Sequence, residues 1–267
     1  MKAKIWVKSE LWLVISAVFG GLCQGTAWAQ EAPLTPSATQ PSRGTFFLRQ
    51  QVRYYYGVGV DQISLPCSVS TGIARGHSLE VSSAGNLKEN TAGVSDVSLM
   101  WKWRFYSFSQ GPIDTSRTAM LMGIQLPSGS GGWGTGSFNP SVGVSHTTIR
   151  GRVGLGGSVA YKFNTGEGAE YDVSGTNSDS DALILNGAMM WRMAPAEYTK
   201  DTKGAWYFGP EGEVVQSGSG TSVRIGPSLM HEAETWVFEA GYQIYPLNTG
   251  AMEDVDGMFF AGVRIFF

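Results

Sequence analysis

The sequence predicts an all-β chain: an antiparallel transmembrane β-barrel that crosses a membrane with strands. Three observations carry this reading. A cleavable secretory leader opens the chain, alternating apolar and polar residues fill most of the remainder, and the last strand has one apolar face running to Phe267. After the leader there is no run of about 18 apolar residues, so no transmembrane helix is available.

The leader decides the compartment. Lys2, Lys4 and Lys8 precede an apolar stretch from Leu11 to Leu22, and Ala27-Trp28-Ala29 stands before Gln30. Basic, apolar and small-residue regions in that order mark a signal peptide over residues 1–29, with Ala27 and Ala29 at the cleavage positions. The apolar stretch is too short to span, which takes about 20 residues. Cys23 opens a second route, lipoprotein processing, but Leu22 stands where that route needs a small residue. Cleavage takes three lysines and Glu10 from 19 basic and 22 acidic residues, leaving 16 and 21 and a net charge near −5. Without a basic run, that balance argues against nucleic acid as a partner. Only Cys67 survives cleavage, so no intramolecular disulfide can form.

Residues 30–44 carry Pro33, Pro36 and Pro41 among small polar residues and read as a flexible periplasmic linker. The barrel is expected over 45–267. Alternation with a period of two puts one set of side chains on each face of a strand. In 97–106, Val97, Leu99, Trp101, Trp103 and Phe105 oppose Ser98, Met100, Lys102, Arg104 and Tyr106. Similar runs place strands at 45–57, 61–70, 76–84, 95–107, 118–127, 140–149, 151–164, 182–194, 205–217, 221–232, 235–246 and 257–267. Twelve is an even number, as single-chain bacterial barrels require; boundaries good to roughly two to four residues leave ten or fourteen open. An even count puts both ends on one side. The longest Gly/Ser-rich connections, 127–140 and 164–182, belong to the other side and are expected to face outside a Gram-negative cell. Both termini are then periplasmic, with 107–118 and 194–205 as unusually long periplasmic turns.

The final strand reads Phe259-x-Ala261-x-Val263-x-Ile265-x-Phe267, a wholly apolar face suited to lipid. It is similar to the C-terminal signal read by the outer-membrane barrel-assembly machinery. As the edge of a soluble sheet it would be an aggregation hazard. Tyr54, Tyr55, Tyr56, Trp191, Trp206 and Trp236 fall near strand ends, where barrels carry aromatic girdles. Trp101 and Trp103 read as nearer mid-strand.

Short motifs in order resemble a known family. Gly93-Val94-Ser95-Asp96-Val97 before Lys102-Trp103-Arg104-Phe105, Leu126-Pro127-Ser128-Gly129 with Gly134-Thr135-Gly136-Ser137, and Gly226-Pro227-Ser228-Leu229 with Trp236 to Pro246 carry the resemblance. The chain resembles the MetA-pathway of phenol degradation family from about residue 45 to its end. The resemblance implies an outer-membrane barrel that admits hydrophobic or aromatic compounds, and it marks no binding-site residues.

With the polar faces turned inward, the lumen is expected to hold Arg49, Arg53, Lys102, Arg104, Arg152, Lys162, Arg192, Arg224 and Arg264 beside Glu80, Glu211, Glu213 and Glu239. Two readings of this cationic lining stand open. The charges could pair and stiffen a narrow barrel, or an Arg-rich wall could favour anions, since rings of Arg or Lys select for them. An aromatic acid would suit both the wall and the family.

Enzyme chemistry finds no support. The chain has His77, His146 and His231, and Ser145 and His146 are adjacent on a strand and so point to opposite faces. No spacing matches a metal site, and no cofactor is implied. The expected partners are outer-membrane lipid, the assembly machinery and a small-molecule solute; the oligomeric state is not legible. The expected role is a passive channel or facilitator for small solutes, with a non-conducting structural or partner-binding barrel as the alternative.

Overall fold

A computed structural model describes residues 31–57, 60–110, 113–171, 173, 176–199, 201–249 and 255–267. The leader, with Ala27 and Ala29, lies outside the described residues. The strands are β1 (Phe46–Gly57), β2 (Val60–Ala74), β3 (His77–Lys88), β4 (Thr91–Val94), β5 (Ser98–Gln110), β6 (Asp114–Gln125), β7 (Asn139–Arg150), β8 (Val153–Lys162), β9 (Ala182–Ala194), β10 (Gly204–Ser217), β11 (Gly220–Ala233), β12 (Trp236–Asn248) and β13 (Val255–Phe266).

These segments make a closed barrel of twelve staves, because β4 and β5 share one. Gly85–Lys88 of β3 pair with β4, and His77–Ser82 of the same strand pair with β5. Closure comes from β13 on β1, in register from Phe47↔Phe266 to Tyr54↔Phe259. Each unsatisfied backbone group in lipid costs several kcal/mol, so a sheet in a membrane must leave no edge. The strand expected at 95–107 therefore starts only at Ser98; the other piece of its stave, β4, lies in the stretch expected as a connection, and Ser95–Val97 interrupt the two where Asp96 is buried.

Other boundaries shift for local reasons. The connection expected at 107–118 shortens to 111–113, because β5 runs on to Gln110 and β6 starts at Asp114. A bulge between Arg104 and Tyr106 breaks the period there, which hid the rest of the strand. Pro66 has no N–H to give, and the β1–β2 ladder skips it but resumes in the same register. The connection 195–203 stays long. Both described ends of the barrel, Phe46 and Phe266, lie at one rim (the terminal end); the long loops 126–138 and 163–181 lie at the other (the loop end).

The barrel is inverted relative to a soluble protein. Trp103, Phe105, Leu185, Met189 and Phe259 are exposed on the outside, while Met190, Arg192, Glu239 and Phe260 are buried within. Phe259, Ala261, Val263 and Ile265 face outward together. Two aromatic belts frame this apolar surface. At the terminal end His77 stacks on Trp101 and Trp103, and His231 sits between Trp206 and Trp236. Trp103 pairs with the first residue of β3, so it lies closer to that rim than its place in β5 suggests. At the loop end Tyr242 and Tyr56 pack on Phe259, and Tyr161 meets Phe163.

Candidate functional site: a filled and charged lumen

Residues 31–41, expected as a periplasmic linker, run inside the barrel instead. Three prolines bar this stretch from a sheet ladder, so its backbone groups must find side chains. Glu211 Oε2 accepts from Leu34 N at 2.8 Å, Thr35 N at 2.9 Å and Thr35 Oγ1 at 3.2 Å. Ala38 N donates to Thr147 Oγ1 at 3.0 Å. Lys102 Nζ donates to Ser37 O at 2.7 Å and Thr39 O at 3.4 Å, and Arg117 Nη1 reaches Thr39 Oγ1 at 3.1 Å. Arg49 binds Pro33 O and Arg264 binds Ala32 O. Apolar contacts finish the seat. Leu34 packs on Tyr55, Val255, Met258 and Phe260, and Ala32 packs on Met190, Ala205, Tyr207, Met230 and Val237.

The charges fall into two groups. Glu239, fully buried, accepts from Arg49 Nε at 2.7 Å, from Gln51 Nε2 at 2.5 Å and from Arg264 Nη2 at 2.7 Å. Arg264 also lies 3.6 Å from Glu31. Arg224 Nε meets Glu213 at 2.9 Å directly across the β10–β11 ladder. Of the expected lumen charges, Arg49, Arg264, Arg224, Glu239 and Glu213 are thus locked in structural ion pairs. Arg53 is held by the neutral Gln51 Oε1, and Glu80 accepts from Ser70 Oγ at 2.7 Å. Lys162 binds Asn177, and Arg192 lies on the Tyr198 ring while donating to Ala196 O. Arg104 stands beside buried Ala119 on the inner face. Arg152 departs from the expectation. The β7–β8 turn is Gly151–Arg152, so Arg152 precedes the strand and its guanidinium lies on outward-facing Trp191 and binds Met193 O.

Three inner residues escaped the sequence reading. Arg117 was missed because its strand was expected to begin at 118, and Gln51 because it carries no charge. Asp96 is the third, and it organises the loop-end mouth. Its Oδ1 accepts from Ser128 N at 3.0 Å and Gly129 N at 2.6 Å. Its Oδ2 accepts from Gln125 Nε2 at 3.0 Å, Thr135 N at 2.7 Å and Thr135 Oγ1 at 2.8 Å. Burial works to raise its pKa, but the bonds from Thr135, Gly129 and Ser128 outweigh that and hold the carboxyl below its usual range. The loop it gathers brings Trp133 into the mouth, buried, with its ring 5.0 Å from Tyr171. A Cβ on Gly134 would stand 2.7 Å from Gly129 Cα, so the crossing of these two backbones needs glycine. The short motifs at 93–97, 126–129 and 134–137 are therefore parts of one clasp.

Space remains in the lumen beside the N-terminal segment and beyond it toward the loop end. A cavity of about 310 Å³ opens at the loop end, lined by Arg53, Gln62, Asn86, Gln125 and Lys162. Another of about 260 Å³ lies nearer the termini, lined by Arg49, Glu80, Lys102 and the segment itself.

A closed twelve-stave barrel with an apolar belt, aromatic girdles and a charged interior defines the class of outer-membrane porin-like barrels. The chain belongs to the family described as "Putative MetA-pathway of phenol degradation", which matches residues 69–245. The fold is similar to that of an outer membrane channel from Pseudomonas putida F1, at 10% identity and a TM-score of 0.55, covering 89% of this chain and 100% of that one. The NanC porin is similar at 13% identity and a TM-score of 0.51, covering 82% of this chain and 98% of that one. The KdgM porin in complex with oligogalacturonate follows at 12% identity and a TM-score of 0.50, with the same coverage. No curated protein matches the sequence.

Proposed function

We propose that the protein is a passive channel for small solutes across the Gram-negative outer membrane, with the long loops outside and both termini in the periplasm. The observation that carries the reading is the pair of polar cavities in the lumen, one of them lined by residues 31–41. That segment is held by side chains and not by a ladder, so it narrows the lumen without sealing it as a strand would. The porin-like neighbours and the family support the same reading. The solute class that fits both family and wall is a small aromatic acid, whose ring suits the family and whose carboxylate suits arginine. A non-conducting barrel is the alternative, favoured by the number of contacts that seat residues 31–41 in the lumen.

Planar-bilayer recording on pure refolded protein tests the proposal. Discrete conductance steps are expected. Their absence, both in the full barrel and in one lacking residues 31–41, would leave the non-conducting alternative standing.

A further inference from the structure

The two cavities lie along one wall. The loop-end cavity is lined by Ser64, Ser82 and Ser98, and the terminal-end cavity by Ser68, Ser70 and Ser78. Ser82 pairs with Ser98 on one side and with Ser68 on the other, so the serines of the two cavities are direct neighbours across the ladders of β2, β3 and β5. The opposite wall is closed. Met190, Tyr207, Met230, Met258 and Phe260 are each at most 4% exposed, and the cavity between Met190 and the N-terminal segment is only about 10 Å³.

The serine wall and the strands that flank it, β1 and β6, also carry inner cations that have no carboxylate within ion-pair distance among the described residues. Arg53 faces the loop-end cavity and Lys102 the terminal-end one. Past Lys102 comes Arg104, whose backbone N–H donates to Gly76 O at 2.8 Å and so sets it beside the Arg75–Gly76 turn. Arg117 stands two residues from Ala119, the ladder partner of Arg104. The carboxylates facing this wall are already engaged. Glu80 accepts from Ser70, Glu31 accepts from Ser37 and is ion-paired with Arg264, and Asp96 accepts from its five donors.

We propose that solutes pass along this wall alone, between residues 31–41 and the serines of β2, β3 and β5. Small anions bearing a carboxylate or phosphate step from Arg53 to Lys102 and leave past Arg75, Arg104 and Arg117. Hydroxyls replace part of the hydration shell, and planar guanidinium groups match both anions. The proposal rests on the channel reading.

The test uses full-length protein with Cys67→Ala, to which Ser68→Cys or Ser82→Cys is added on the open wall, and Ser228→Cys or Met230→Cys on the closed one. Both closed-wall side chains are fully buried. Heat-modifiable migration on gels selects folded variants. In planar bilayers the negatively charged sulfonatoethyl methanethiosulfonate should cut the current of the first pair by more than half and leave the second pair unchanged. Equal block on both walls, or no block at Ser68→Cys and Ser82→Cys in a conducting protein, overturns the path. For the anion class, Arg104→Gln with Arg117→Gln should move the zero-current potential in a salt gradient toward cations; an unmoved potential overturns it. No current from any variant, even without residues 31–41, overturns the channel reading itself and the path with it.

Discussion

The two walls of the lumen solve different problems with the same alternating backbone. On β2 and β3, with Ser98 of β5, serine is the commonest inward residue, too small to reach across, and space survives. On β9 to β13 Met190, Tyr207, Met230, Met258 and Phe260 fill the interior between buried polar groups, and it closes like a protein core. The charges follow much the same division, with Arg192 on β9, seated on the Tyr198 ring, as the exception on the filled wall. Arg264 and Glu239, with Arg49 at the seam, and Arg224 with Glu213 are locked in pairs on or beside the filled wall. Lys102, Arg104 and Arg117 face the open one without a carboxylate partner among the described residues. Stiffening and anion preference are therefore not rival accounts of one cationic lumen. Each belongs to its own wall.

The largest expected effect breaks the comparison at its centre, the segment that separates the walls. Deleting residues 31–41 should raise single-channel conductance several-fold, because it joins the two cavities into one passage. Glu211→Ala, which removes the acceptor for Leu34 N, Thr35 N and Thr35 Oγ1, should raise conductance by less and add flicker between levels. Equal conductance before and after the deletion would show that the open wall already passes all the current.

Next come paired variants, one for each wall. Glu239→Ala strands the buried Arg264 and the half-buried Arg49, and breaking such a group costs about 3–5 kcal/mol. Glu80→Gln on the open wall touches a single hydrogen bond from Ser70, worth about 0.5–1.5 kcal/mol. Urea unfolding of the refolded barrel in lipid vesicles measures both. Similar losses would mean that the open wall contributes as much to stability as the filled one.

The architecture was legible in the sequence because period-two alternation is the direct imprint of a two-sided strand. The run from Val97 to Tyr106 and the last strand to Phe267 state it plainly. The wall assignment of Arg49, Arg224 and Glu239 followed from the same parity. What was not legible depends on contacts between distant segments. A Pro-rich stretch reads as a linker wherever it lies, and only the wall side chains Glu211, Lys102 and Thr147 place it inside. Arg152 was misplaced because a two-residue turn shifts by one position without any change in composition. Asp96 looked like a motif letter until five donors from one strand and a loop met on it.

The Asp96 clasp gives a smaller effect, with a defined pH sense. A carboxyl whose folded pKa is depressed adds stability above its unfolded pKa and loses it as pH falls through the folded value. The clasp should thus be complete at neutral pH and persist to about pH 4, near the ordinary value for aspartate, releasing only below it. Limited proteolysis within 126–138 across this range measures the release. Asp96→Asn keeps the shape but lacks the charge, and should cost about 1.5–3 kcal/mol, with cleavage already at neutral pH. Cleavage that rises between pH 7 and 5 in the unaltered protein would contradict the depressed pKa.

The smallest effect sharpens the comparison within a single strand. Cys67 and Ser68 are neighbours on β2, and the alternation sends one to lipid and the other to the open wall. Cys67→Ala removes a small outward side chain that fills no cavity, so stability should move by no more than about 0.5 kcal/mol and conductance not at all. The native thiol should resist a charged methanethiosulfonate, which does not enter hydrocarbon, and react with a membrane-soluble maleimide. A cysteine at 68 should show the reverse preference. Two adjacent positions with opposite reagent selectivity would locate the lipid and the solute path to either side of one stave. Matching reactivity would mean that β2 does not divide them, and the open wall would lose its boundary.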